Sequence, residues 1–314
     1  MKLTRAETAA WLNNRDHFAI LTHRRPDGDT IGSAAVLCRM LRSMGKTAHV
    51  LENPEVTPKY QHLFAGLTKP AAEAGDTIVS ADVASAGMLP KDFAPYLGRI
   101  ALRIDHHGSS TSFTEDELVD PEAASCGEVI FDLLRLLDVP MDKHTAEALY
   151  TAVSTDTGCF RYANTNAHSY LTAAACAEAG AEIFAINQAL FDTNSLAKLR
   201  LQGWIAENTR FFREGTIAVC ALPMAVEQQL GVTEDDMENI SGFPRSIEGV
   251  CMAATLRQTA DGGVKISVRA VPGYDAAAVC EKFGGGGHKG AAGASTDLSL
   301  DAAAKKIEQI MLSM

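Results

Sequence analysis

Apolar positions along this chain alternate between short continuous runs and stretches with helical spacing. Phe18–Leu21 reads as a buried strand that delivers His23 at its carboxyl end, and Leu37, Met40, Leu41 and Met44 keep the spacing of a helix that Gly45 stops. Ahead of them, Thr4-Arg5-Ala6-Glu7 is a capping-box pattern that opens a helix running to about Asn13. Further strand-like runs occupy residues 47–51, 77–81 and 99–104, with helical stretches at about 125–137 and 143–153. Strands alternating with helices predict a mostly parallel sheet covered on both faces.

Residues 167–213 have a helical pattern throughout, and strands return at 216–221, 250–257 and 265–270. A glycine-rich turn at 284–290 and a helix from about Leu300 close the chain. The fold class expected is therefore α/β in two parts: a parallel-sheet domain over residues 1–190, a helical linker over 191–213, and a smaller α/β domain over 214–314.

Composition narrows the class. At 314 residues and 46% hydrophobic, the chain is long enough for two ordinary cores. Its seven cysteines are scattered, odd in number and without a C-x-x-C pair, which argues against a disulfide framework or a thiolate zinc site. No apolar run reaches the roughly 20 residues of a spanning helix, and residues 1–14 have no signal-peptide core. A cytoplasmic protein without membrane contact is expected. The net charge of −11 disfavours a broad surface for long duplex nucleic acid but leaves room for a short anionic substrate met by bound cations and a few arginines.

The candidate chemistry collects where predicted strands end. His23, Asp27 and Asp29 follow the first strand, in what reads as one loop; Asp82 follows residues 77–81; Asp105-His106-His107 follows 99–104; Asp156 lies in Thr155-Asp156-Thr157-Gly158, with Arg161 just beyond. Singly, most of these are turn or cap residues. Together they are the mixed imidazole and carboxylate set that a two-metal phosphoester hydrolase uses, and the ligands suit a hard to borderline ion such as Mn2+. In the second part, Gly284 to Gly290 encloses His288 and Lys289. Gly286 and Gly287 would let an anion approach the backbone, although the run lacks the Gly-Lys-Ser/Thr order of a P-loop. Arg269, ending a strand-like run, is a candidate phosphate clamp.

Read together, these motifs resemble the DHH phosphoesterase superfamily, and the match covers nearly the whole chain. The triplet is Asp105-His106-His107, the first motif is His23 to Asp29, the second is Asp82, and the fourth is Asp156. Within the superfamily, residues 154–165, Pro244 to Val250 and Gly285 to His288 are similar to the nanoRNase and phosphoadenosine-phosphate phosphatase group with its associated C-terminal substrate domain.

The resemblance implies two manganese ions, one held by His23, Asp27 and Asp82 and the other by Asp29, Asp82, His106 and Asp156, with Asp82 bridging. By the same analogy Asp105 orients the imidazoles, His107 stabilises charge on the scissile phosphate or protonates the leaving oxygen, and Arg269 and His288 hold the rest of the substrate; Gly286, Gly287, Lys289 and Arg161 are further candidate substrate contacts. Two departures stand out. No Arg follows Asp82 within a few residues, and Arg24-Arg25 occupies a usually uncharged spot.

The expected activity is hydrolysis of very short single-stranded RNA to mononucleotides, with adenosine 3',5'-bisphosphate as a further small-nucleotide substrate. Alternatives are a phosphodiesterase for cyclic or linear dinucleotides, an inorganic pyrophosphatase, against which the absence of a C-terminal Ser-Arg-Lys element speaks, and a non-catalytic nucleotide sensor. The oligomeric state is left open, with a homodimer allowed.

Overall fold

The computed structural model describes residues 1–108, 111–237 and 240–314. They divide into two compact units, Met1–Thr193 and Asn194–Met314, each described by itself.

The first unit runs α1 (Arg5–Asn13), β1 (Phe18–Leu21), α2 (Gly28–Ser43), β2 (Ala48–Leu51), β3 (Thr68–Lys69), β4 (Thr77–Ala81), β5 (Ile100–Asp105), β6 (Asp116–Val119), α3 (Cys126–Leu136), α4 (Lys143–Asp156), α5 (Ala167–Glu178) and α6 (Ile183–Asn187). Helices α1 to α5 begin where a side chain can take up an orphan backbone N–H. Thr4 forms the capping box with Glu7, and Asp27, Ser125, Asp142 and Asn166 cap α2 to α5 in the same manner.

All six strands are parallel, in the order β3-β2-β1-β4-β5-β6. Successive side chains of a strand face opposite sides of the sheet. Phe18 and Ile20 accordingly enter the large core with Ile31, Leu37, Val129, Ile130 and Leu149, while Ala19 and Leu21 meet Ile78, Leu89 and Phe93 on the other face. The order reverses between β1 and β4, so the crevice outside their carboxyl ends is the position where open α/β sheets bind ligands. His23 and Asp82 leave those two strands.

The second unit contains α7 (Leu196–Asn208), β7 (Arg210–Phe212), β8 (Ile217–Leu222), α8 (Met224–Leu230), β9 (Met252–Gln258), β10 (Val264–Ala270), α9 (Ala276–Glu281), β11 (Gly286–Gly287), β12 (Ala291–Thr296) and α10 (Leu300–Ser313). Its sheet order is β11-β12-β10-β9-β8-β7, antiparallel except for the β8–β9 pair. The mixed α/β class expected from the pattern is the class observed.

Two local expectations are corrected. Residues 167–213 are not one helical stretch: Gly180, at φ +87, ends α5, and α6, a single π turn at Gln188–Asp192, α7 and β7 follow in separate pieces. Leu201 and Ile205 of α7 pack with Cys220, Leu222 and Ile240, inside the second unit. The glycine run is not an open turn either. Gly286 and Gly287 pair with Gly293 and Ala292 of β12, and a Cβ would lie 2.2 Å from the Gly293 carbonyl oxygen on Gly285 and 2.7 Å from the Ala291 carbonyl oxygen on Gly287, so backbone packing requires glycine at those two positions. Among the described residues no helix is long and apolar enough to cross a membrane.

Candidate metal centre

His23 follows β1 and is buried. Its Nδ1 lies 2.7 Å from the Arg24 carbonyl oxygen, and the Asn53 amide donates to the His23 carbonyl at 2.9 Å. Nδ1–H donation to a carbonyl leaves Nε2 as the lone-pair atom, the arrangement usual for a metal-ligating imidazole. His106 repeats it, with Nδ1 3.2 Å from the Ala123 carbonyl oxygen.

The loop expected to carry His23, Asp27 and Asp29 turns helical earlier than its sequence pattern implies. Asp27 is the N-cap of α2, accepting from the Thr30 N–H at 3.0 Å, and Asp29 sits in the helix's first turn. Gly28 makes this entry feasible, because a Cβ there would fall 2.4 to 2.8 Å from the Thr155 side chain. Asp29 is buried and accepts from Ser33 Oγ at 2.9 Å and from the Cys126 and Gly127 N–H groups at 2.7 and 3.0 Å. The last two donors open α3, whose N-terminal dipole end favours a negative charge.

Asp82 leaves β4 in the left-handed region at φ +59, a conformation Asp tolerates better than most residues. Its N–H donates to the Ile104 carbonyl at 2.9 Å, which ties the turn to β5. The buried carboxylate points one oxygen each way: Oδ2 lies 3.7 Å from His23 Nε2 and Oδ1 lies 3.7 Å from His106 Nε2. Thr30 donates its hydroxyl to Oδ2 at 2.6 Å, while Oδ1 is buried with no hydrogen-bond partner among the described residues.

Asp156 is the last residue of α4 rather than part of a turn beyond the helix, which runs three residues further than the 143–153 expected. It reaches within 3.4 Å of His106 Nε2, and Asp29 Oδ2 lies 3.7 Å from the same atom. Three trios of donor atoms each fall within 4.8 Å: His23, Asp27 and Asp82; Asp29, His106 and Asp156; Asp82, His106 and His107. These separations exceed hydrogen-bond length, so the donors are gathered without satisfying one another. Oriented imidazole lone pairs, an unpartnered buried carboxylate oxygen and mixed N/O donors fit divalent cations.

The electrostatics agree. Burial first, and then the mutual repulsion of the carboxylates, pushes Asp29 and Asp156 well above the usual carboxylate range; Asp82 is raised by burial and by Asp27. At His107, burial disfavours the charged form. The hydrogen bond from Nδ1 to Asp105 Oδ1 at 2.8 Å and the charges of Asp82, Asp105 and Asp156 outweigh it and lift the imidazole to about 9. Burial likewise opposes ionisation of Asp105, but its bonds to His107 and the nearby Arg103 hold it below the ordinary range.

The remaining candidates are surface residues or lie on the second unit. Arg161 is exposed and donates from Nε to the Gly158 carbonyl at 2.6 Å. Arg269 is the penultimate residue of β10 and donates to Ser241 Oγ at 3.2 Å, opposite Ala291 in the sheet register. His288 and Lys289 are exposed in the turn joining β11 and β12. Thr30, Ser33, the start of α3 and Arg103 were not singled out from sequence. Of these, only Ser33 left a signal, its i+4 spacing from Asp29.

A parallel-sheet unit with imidazole and carboxylate donors clustered at its strand ends has the architecture of a phosphoester hydrolase. Residues 17–153 match the model of the DHH family, N-terminal domain, and residues 216–313 match the DHHA1 domain. The chain is 32% identical over 293 residues to the bifunctional oligoribonuclease and PAP phosphatase NrnA of Thermus thermophilus, covering 92% of this chain and 87% of that protein. The NrnA of Bacillus subtilis is 25% identical, with 89% of each chain covered. Among solved structures, an exopolyphosphatase-related protein from Bacteroides fragilis superposes with a TM-score of 0.83 at 26% identity, over 97% of this chain and 94% of that one. The chain belongs to the DHH phosphoesterase family and is a hydrolytic enzyme.

Proposed function

We propose that this enzyme uses two divalent ions, manganese first among them, to hydrolyse very short oligoribonucleotides to mononucleotides and to remove the 3'-phosphate of adenosine 3',5'-bisphosphate, in the cytoplasm. The observation that carries the reading is Asp82, a buried carboxylate with one oxygen toward His23 and the other toward His106. That is the disposition a shared ligand needs. The substrate class is supported by likeness to oligoribonuclease and PAP phosphatase NrnA.

His23, Asp27 and Asp82 would hold one ion, and Asp29, Asp82, His106 and Asp156 the other. Bound ions supply the Lewis acidity that makes water nucleophilic at neutral pH and offsets charge on the phosphoryl group. The chain's own groups do the rest. Asp105 fixes the Nδ1–H of His107, so its Nε2 is the atom that meets the substrate and donates to the leaving oxygen. Arg161, Arg269 and His288, with the Gly286, Gly287 and Lys289 backbone, are assigned to the substrate's remaining phosphate and terminal nucleotide.

The test is a substrate panel with purified protein and Mn2+: linear di- to pentaribonucleotides, adenosine 3',5'-bisphosphate, cyclic dinucleotides and pyrophosphate. Release of mononucleotides from the short linear RNAs at rates above the cyclic and pyrophosphate arms is expected. Faster cleavage of a cyclic dinucleotide or pyrophosphate would replace the proposed substrate, and absence of turnover throughout the panel would remove the proposal.

A further inference from the structure

Arg103 is the largest fully buried side chain of the described residues, on the strand that ends in Asp105. Leu102 and Ile104 enter the main core, whereas Arg103 and Asp105, two residues apart, share the other face of the sheet. Its guanidinium is held on several sides. Nη2 pairs with Glu117, which stands directly across from Arg103 in the β5–β6 register. Nη1 donates to the carbonyl of Ala84, two residues beyond Asp82, at 3.0 Å and to that of Thr111 at 3.3 Å, and Phe113 lies under the group with 5.4 Å to the ring centroid.

The remaining direction faces the reactive centre. Asp105 uses Oδ1 for the His106 and His107 N–H groups and for His107 Nδ1, at 2.8, 3.2 and 2.8 Å. Its other oxygen, Oδ2, is buried and has no hydrogen-bond partner among the described residues, and Arg103 Nη1 lies 3.7 Å from it. A buried carboxylate with half its lone pairs unmet would rotate toward any better donor. The guanidinium's charge, 3.7 Å away, attracts Oδ2 and opposes that rotation, and its own position is held by Glu117 and two carbonyls.

We infer that Arg103 is a positioning residue for the reaction: Glu117 anchors the guanidinium, the guanidinium attracts Asp105 Oδ2, and Asp105 thereby keeps His107 in one orientation. The inference rests on the proposed role of His107. It differs from a purely structural ion pair in assigning Arg103 two separable functions, one toward Glu117 and one toward Asp105.

Arg103→Met alone would strand Glu117 in the interior and risk unfolding, so the deciding variant is R103M/E117Q, compared with E117Q. The double variant leaves no uncompensated charge at Glu117, yet Asp105 loses its cation. E117Q, whose amide oxygen still accepts from Nη2, serves as the reference for the double variant: it should fold and keep several-fold more kcat on a dinucleotide than R103M/E117Q. R103M/E117Q should fold but lose about 10- to 100-fold in kcat, the usual cost of an orienting partner, with KM nearly unchanged.

A readout that needs no substrate accompanies it: the hydrogen-bonded Nδ1–H proton of His107, observed by NMR in selectively 15N-histidine-labelled protein, should be present in E117Q and lost or broadened in the double variant. A folded R103M/E117Q with wild-type kcat and an intact Nδ1–H signal would overturn the positioning role. If wild type itself turned over no dinucleotide, the functional reading would fail, and the NMR comparison would still decide whether Arg103 orients His107.

Discussion

Gly32 is the point where α2, carrying Asp29, touches α4, carrying Asp156. A Cβ at Gly32 would sit 2.4 Å from the Ala148 carbonyl oxygen and 2.9 Å from the Ala152 nitrogen and Cβ, where ordinary contact begins at 3.4 Å. The obstructing oxygen is backbone, so Gly32→Ala can be accommodated only by moving the helices apart by about 1 Å. Two effects oppose each other. Alanine in a helix interior gains about 1 kcal/mol over glycine, and overpacking a rigid core costs about 1–3 kcal/mol. With backbone as the obstacle the upper end applies, giving a net loss of about 1–2 kcal/mol. Because Asp29 and Asp156 both lie within 3.7 Å of His106 Nε2, the same displacement separates donors that must converge. Misplacement on this scale costs about 10²-fold in rate.

The assay is urea unfolding followed by Trp11 fluorescence in a Trp204→Phe background, which reports the first unit, together with dinucleotide turnover in saturating Mn2+. Gly98→Ala, in the same unit, where an added Cβ meets nothing within 4 Å, is the control and should be neutral or stabilising. A G32A protein as stable and as active as its background would refute the argument that the α2–α4 spacing sets the donor geometry.

Asp82→Ala should reduce kcat/KM by more than two decades and abolish the rise in Tm on adding Mn2+; a protein that merely sensed nucleotides would lose affinity without a turnover change. Thr30→Val removes the hydroxyl that donates to Asp82 Oδ2, and should weaken Mn2+ binding about 10- to 100-fold by calorimetry with the fold retained. The raised carboxylates set a pH dependence. Their folded-state pKa values lie above the unfolded ones, so their stabilising contribution is complete below the unfolded values and is lost as pH rises through the folded values. Metal-free protein should therefore gain stability on moderate acidification, whereas the Tm increment from Mn2+, which needs the ionised forms, should shrink. Parallel melts across about pH 5.5–8 test this, and an increment that grew toward acid would contradict it. Gly285→Ala should displace β11 from β12, seen as loss of amide protection at Gly286 and Gly287 by hydrogen exchange.

The parts of the site legible in the sequence were those announced by a continuous apolar run. His23, Asp82 and Asp105 each follow or end a buried parallel strand, and such strands leave an unmistakable block of Val, Ile, Leu and Ala. Asp27 and Asp29 read as loop in the sequence because helical spacing becomes visible only near Leu37, where α2 is already under way. Short strands such as β3 and β11 carry too few residues for any period to register, and in β11 Gly287 answers to close backbone packing rather than burial. Arg103 was illegible for a different reason. One arginine inside a strand reads as a solvated position, and only the register with Glu117 and the two-residue step to Asp105 disclose that both faces of the sheet are covered there.

The donors meeting around Asp82 come from residues 23 to 156, on the segments following β1, β4 and β5 and at opposite ends of α2 and α4. No short stretch of unfolded chain can gather that set, so a cation has little to hold until those elements have docked. Kinetically, the ion is then a late arrival: it should leave the refolding rate of the first unit nearly unchanged and slow its unfolding. The loaded enzyme's lifetime, more than its rate of formation, would follow the metal supply.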